Sequence, residues 1–180
     1  MQTLSLILSI IAIIFSALSS LTKGEKNIVR ILVFMSISNF SVALSYLVLG
    51  MENINGAMSC FIGGISCAIN FLYTSKQKDV PLWLSGIYAL AYTALNIISS
   101  SGINPGCIIA IVACLCFVMS VVQKNGRMFR VWMLSNNILW CTYDIVQGAY
   151  QPLLTHSILL AFYVIGIIIN DRKSKSKSNL

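Results

Sequence analysis

Seven apolar stretches sort the basic residues of this chain into alternate gaps, and that alternation leaves room for little except a helical membrane bundle. The stretches fall at roughly residues 3–21, 31–50, 54–74, 82–99, 105–122, 131–149 and 152–169. Each holds about 18–21 residues, and at about 1.5 Å per helical residue each crosses a hydrocarbon core of about 30 Å. The first gap carries Lys23, Lys26 and Arg30, the third Lys76 and Lys78, and the fifth Lys124, Arg127 and Arg130. The tail carries Arg172, Lys173, Lys175 and Lys177. The N-terminus and the second, fourth and sixth gaps carry no Lys or Arg. Basic loops stay cytoplasmic, which predicts an outside N-terminus and a cytoplasmic C-terminus.

Composition agrees with a membrane chain. It is 57% hydrophobic and only 9% charged, where a soluble domain carries about 25% charged residues. Spanning strands would need about 9–11 residues of alternating polarity, which these runs lack. The net charge of +7 reads as loop charge facing anionic lipid, and no basic stripe with interleaved aromatics supports nucleic-acid binding. The N-terminus lacks a basic n-region and a small-residue cleavage site, so helix one is expected to be retained. Residues 171–180 are rich in Lys and Ser and read as a disordered cytoplasmic tail.

Chemistry-bearing motifs are scarce. The six cysteines all fall in apolar runs without C-x-x-C spacing, and they read as small packing residues. One histidine and no hydrolase or phosphate-loop motif predict a chain without enzymatic activity, metal or cofactor.

The charge layout repeats after the fourth run. At one constant spacing, Arg30, Ser38-Asn39 and Tyr46 recur as Arg127, Ser135-Asn136 and Tyr143. This predicts two parallel three-helix bundles, residues 1–75 and 101–170, joined by a linker helix within 76–100. Pro81, Pro105 and Pro152 fall at helix starts, where the missing N–H has no intrahelical partner. Ser59-x-x-x-Gly63 and Gly64-x-x-x-Ala68 let backbones approach closely, which predicts helix three at the centre of its unit. A hinge at Gly63-Gly64 is the alternative.

Few polar residues lie deep in the runs. Asn39 and Asn136-Asn137 lie mid-run and must find partners, either as glue between helices or in a solute pocket. Asn136, Trp140 and Tyr143 share one helical face, either an amphipathic wall suited to a small polar solute or an aromatic filling of the bundle core. Asp144, the one acidic residue inside a run, and His156 lie at similar depth on adjacent antiparallel helices. They form a candidate proton-sensitive pair on the outer side of a cavity, or a structural clasp.

Asn136-x-x-x-Trp140-x-x-Tyr143, followed by a short turn and a further helix, resembles the second half of SWEET sugar transporters of the PQ-loop (MtN3) superfamily. Asn39 to Tyr46 resembles the matching first half. The resemblance implies that solute crosses between the units, beside a Trp-bearing helix and a polar position on the third helix of each. Those positions fall on Ser59 and His156, where the superfamily carries Asn, and the Trp position falls on Trp140 and Ala43. The superfamily's proline-glutamine motif is absent. A resemblance over nearly the whole chain is to the YgjV-like family of bacterial inner membrane proteins. It rests on Ser19-x-x-Thr22-Lys23, a following helix with a central Asn, Leu49-Gly50 and Asn55-Gly56-Ala57.

Together these features predict a multi-pass inner membrane protein that passes a small polar solute by alternating access, through a pocket walled by Asn39, Ser59, Asn136, Trp140, Tyr143 and His156. The alternative is a non-transporting structural or lipid-interacting protein. Beyond the bilayer and a solute, self-association into a homo-oligomer stays open.

Overall fold

The computed structural model describes residues 2–22, 27–49, 54–99, 103–147 and 150–177. These residues form seven helices and no strand: α1 (Gln2–Leu21), α2 (Ile28–Leu49), α3 (Ile54–Ser75), α4 (Leu82–Ser99), α5 (Pro105–Val121), α6 (Gly126–Gln147) and α7 (Tyr150–Lys177). Thr3–Leu21, Ile28–Val48, Ala57–Ser75 and Leu153–Asn170 are long and apolar enough to cross a membrane. The apolar stretches of α4 and α5, Leu82–Ile98 and Pro105–Val121, are shorter. Lys23, Lys26 and Gly50 lie outside the described residues.

Local chemistry sets the helix ends. Asn104 caps α5 by accepting from the Cys107 N–H at 2.8 Å, with Pro105 in the first turn. Asn125 accepts the Arg127 N–H at 2.8 Å through its side chain and the Phe129 N–H at 3.0 Å through its carbonyl. That cap starts α6 five residues before the apolar run suggested, which moves Arg127 and Arg130 out of the loop and into the helix. At the far end of the chain, α7 continues to Lys177, through the first part of the stretch expected to be a disordered tail. Extending an existing helix fixes one residue per hydrogen bond gained, and Lys favours the helix.

α1 is amphipathic in the inverted, membrane sense. Leu4, Ile7, Ile14, Leu18 and Leu21 are exposed at helical spacing, while Ser5, Ser16, Ser19 and Ser20 are buried. The serine face meets α2. Ser45 Oγ lies 2.7 Å from Ser5 Oγ and 3.0 Å from Ser9 Oγ, and the Ser38 hydroxyl donates to the Ala12 carbonyl at 2.9 Å. Where lipid competes for apolar contact, such hydrogen bonds and small residues hold helices together.

α2, not α3, lies in the middle of the first three helices, packed against both α1 and α3, and α6 lies likewise between α5 and α7. The serines of α1 press on one side of α2 and the glycines of α3 on the other. A Cβ on Gly63 would stand 2.8 Å from Asn39 Oδ1, and one on Gly64 2.8 Å from the Phe40 ring. The two glycines therefore serve close packing in an unbroken helix. Direct α1–α7 contact, with α4 between α3 and α5, closes the helices into a ring in chain order.

Three contacts of the α1–α2 pair recur in the α5–α6 pair. Ser19 bonds the carbonyl three residues back and reaches Met35 Sδ at 3.2 Å; Ser120 does the same and reaches Met133 Sδ at 3.1 Å. Ser38 bonds Ala12 O, and Asn136 Nδ2 bonds Ala113 O at 2.7 Å. Asn39 donates to Met35 O and Asn137 to Met133 O, both at 2.8 Å. Asn39 thus corresponds in its contacts to Asn137, one position along from the sequence match with Asn136.

Candidate functional site

The polar side chains singled out in the sequence occupy two levels. At mid-helix, the amides of Asn39, Asn136 and Asn137 each donate to a backbone carbonyl. Asn136 alone bridges two helices, tying α6 to α5. Asn39 Oδ1 rests against Gly63 together with the Tyr92 hydroxyl. Tyr92 comes from α4, the linker of the sequence reading. It is buried, with its ring edge-on to Phe117 at 6.2 Å.

The second level lies near the end opposite the basic loops. Asp144 sits in the last turn of α6 and His156 two turns into α7. His156 Nδ1 lies 2.7 Å from Asp144 Oδ2. The Asp144 side chain is 3% exposed and that of His156 22%. A buried carboxylate at the carbonyl end of a helix is disfavoured by both desolvation and the helix dipole, so it needs a cationic or hydrogen-bonding partner.

An aromatic shell covers the pair. The Trp140 indole stacks on the His156 imidazole, with centroids 5.8 Å apart and planes 17° apart. Tyr143 stands edge-on to Trp140 at 5.3 Å and 81°. From the other half of the chain, Tyr46 lies within electrostatic range of Asp144.

The structure therefore brings Trp140, Tyr143, Asp144 and His156 into one cluster facing Tyr46. Asn136 and Asn39 lie deeper. Ser59 is half-buried on α3, one turn from Gly63 and next to Cys60. Among the described residues, no group of three His, Cys, Asp or Glu is placed to hold a metal, and the six cysteines are free thiols.

The sequence model of Imp-YgjV, described as bacterial inner membrane protein, matches residues 3–174. The chain belongs to the Imp-YgjV family. No curated protein and no solved structure matches it. Membership places this Imp-YgjV protein among bacterial inner membrane proteins, in keeping with its apolar helices.

Several structural residues escaped the sequence reading. Arg130 was counted as loop charge. It is 2% exposed inside α6 and donates to the Thr22 carbonyl at the end of α1 at 3.0 Å. Asn125 as helix cap was the signal that would have placed it. Asn70 is fully buried. It donates to Val121 O at 2.9 Å and accepts from the Tyr88 hydroxyl at 3.2 Å, joining α3, α4 and α5. The serines of α1 at positions 5, 9, 16 and 19 share one helical face, a signal of the α1–α2 contact that the sequence carries.

Proposed function

We propose that this Imp-YgjV protein passes a small polar solute across the bacterial inner membrane by alternating access, with the Trp140–Tyr143–Asp144–His156 cluster as the outward-side wall of the path. The observation that carries the reading is a buried carboxylate paired with a partly buried histidine, the histidine stacked under an indole, inside an apolar helix bundle. Ionisable groups are costly at such depth and mark solute or proton routes. The pair is also a candidate proton-sensitive element of the cycle. No enzymatic step is proposed: among the described residues no nucleophile stands beside a positioned base.

The working architecture is seven crossings in two parallel three-helix units, residues 1–75 and 101–170, with α4 as linker. The N-terminus lies outside and the C-terminus in the cytoplasm. The three contacts shared by the α1–α2 and α5–α6 pairs support this division. The SWEET-like path between units belongs to this proposal alone. Within it, Asn39, Ser59 and Asn136 line the deeper part of the route.

A thermal-shift panel of small polar solutes on purified protein, repeated with Trp140→Ala, tests the reading. A solute that raises the melting temperature of the parent protein and not of the variant supports it. A solute that stabilises both equally removes Trp140 from the site.

A structural role without transport is the second reading. It is favoured by one observation: the Asn39, Asn136 and Asn137 amides are each committed to a carbonyl, as helix glue would be.

A further inference from the structure

A cleft of about 220 Å³ opens at the basic end of the bundle, far along the helices from the Asp144–His156 pair. Its lining is apolar at Val80, Val121 and Val122 and polar or charged at Thr74, Lys78, Asp79 and Lys124. The polar side is built rather than loose. The Lys78 N–H returns to the Tyr73 carbonyl and the Gln77 N–H to the Thr74 carbonyl, both at 3.0 Å, with Gln77 at φ 54°. This is a Schellman closure of α3, with a left-handed residue where glycine is usual. Asp79 holds Lys124 Nζ at 2.6 Å, and both side chains are at least three-quarters exposed. An exposed ion pair is weak, so Lys124 can turn to another anion at small cost.

The cleft continues into an apolar track. Val122 caps the end of α5, and Met119 and Leu115, both exposed, precede it at helical spacing. Cationic and hydroxyl groups at headgroup level above an apolar strip match a lipid in which a phosphate meets an acyl chain. Free phosphate would use the polar side and leave the apolar lining and the track unfilled.

We infer that this cleft binds the phosphodiester headgroup of an anionic phospholipid, with Lys78 and Lys124 on the phosphate and an acyl chain along α5. The site is separate from the proposed solute path, and it stands whether or not transport occurs.

The test uses full-length protein in mild detergent, with phosphatidylglycerol, phosphatidylethanolamine or glycerol 3-phosphate added, read by melting temperature and by lipid retention in native mass spectrometry. Phosphatidylglycerol should be retained and should raise the melting temperature. Phosphatidylethanolamine should do so less, and glycerol 3-phosphate not at all. K78Q/K124Q should weaken the phosphatidylglycerol effect roughly thirtyfold in apparent affinity. D79N, which removes the competing carboxylate and keeps both lysines, should leave it equal or stronger. Equal responses of the parent protein and K78Q/K124Q would overturn the assignment, as would equal responses to the two lipids. A response to glycerol 3-phosphate matching that to phosphatidylglycerol would make this a soluble-phosphate site and remove the lipid.

Discussion

A methyl group on Gly166 would stand 2.4 Å from the Ser20 carbonyl oxygen and 3.2 Å from Arg130 Cδ. No backbone tolerates such an approach, so α7 and α1 touch here only because position 166 lacks a side chain. Around this contact, Arg130 reaches the Thr22 carbonyl, Asn170 Nδ2 the Leu21 carbonyl at 3.2 Å, and the Tyr163 hydroxyl lies 3.4 Å from Ser19 Oγ. These contacts close the ring of helices at its basic end.

Gly166→Ala should therefore part α1 from α7. The expected loss is about 2–3 kcal/mol, from overpacking and from the polar contacts pulled apart with it. Thermal unfolding in detergent measures this. Gly86, whose Cβ would meet nothing within 4 Å, provides the control: Gly86→Ala should be neutral or slightly stabilising.

Asn70 joins three helices through two hydrogen bonds. Asn70→Ala leaves the Tyr88 hydroxyl without its acceptor and should cost about 2–3 kcal/mol. Tyr88→Phe removes only the donor and should cost about 1 kcal/mol. If the two substitutions cost the same in unfolding assays, the bond from Asn70 to the Val121 carbonyl contributes little.

Gln77 holds φ 54° at the end of α3. A non-glycine residue pays about 1–2 kcal/mol there, and glycine returns part of that gain through its freer unfolded chain. Gln77→Gly should raise stability by about 0.5–1 kcal/mol, seen as a higher melting temperature.

The Asp144–His156 pair should behave as a coupled unit. Asp144→Leu leaves the imidazole beside an apolar group and should cost about 1–3 kcal/mol, less than a fully buried pair because His156 is partly exposed. Asp144→Leu combined with His156→Leu should cost less than the sum of the single changes, since neither partner is then stranded. Strict additivity in that double-mutant cycle would mean the 2.7 Å contact carries no coupling.

The seven helices were legible because long apolar runs broken by charged and turn residues report helices and their ends directly. The acid–histidine pair was legible from depth counting alone, since Asp144 and His156 flank a short turn. Other features depend on tertiary contact that a single sequence does not display. Arg130 reads as loop charge until Asn125 is recognised as a cap. Asn39 aligns with Asn136 by identity, yet its hydrogen bond matches that of Asn137, because the shared interaction is with Met35 and Met133, a partner invisible to residue matching. Gly63 and Gly64 promised close packing, but only the neighbours Asn39, Phe40 and Tyr92 reveal that α2 takes the middle place.

The central claim is that the aromatic and acidic cluster borders a water-accessible path from the outer side. Its most direct test is Tyr143→Cys in a chain whose six native cysteines have been replaced, probed in intact spheroplasts with a membrane-impermeant maleimide. We predict labelling from outside, reduced in a variant that also carries a bulky side chain at Ser59. Inertness at position 143 until detergent opens the bundle would contradict the path and leave the structural reading in its place.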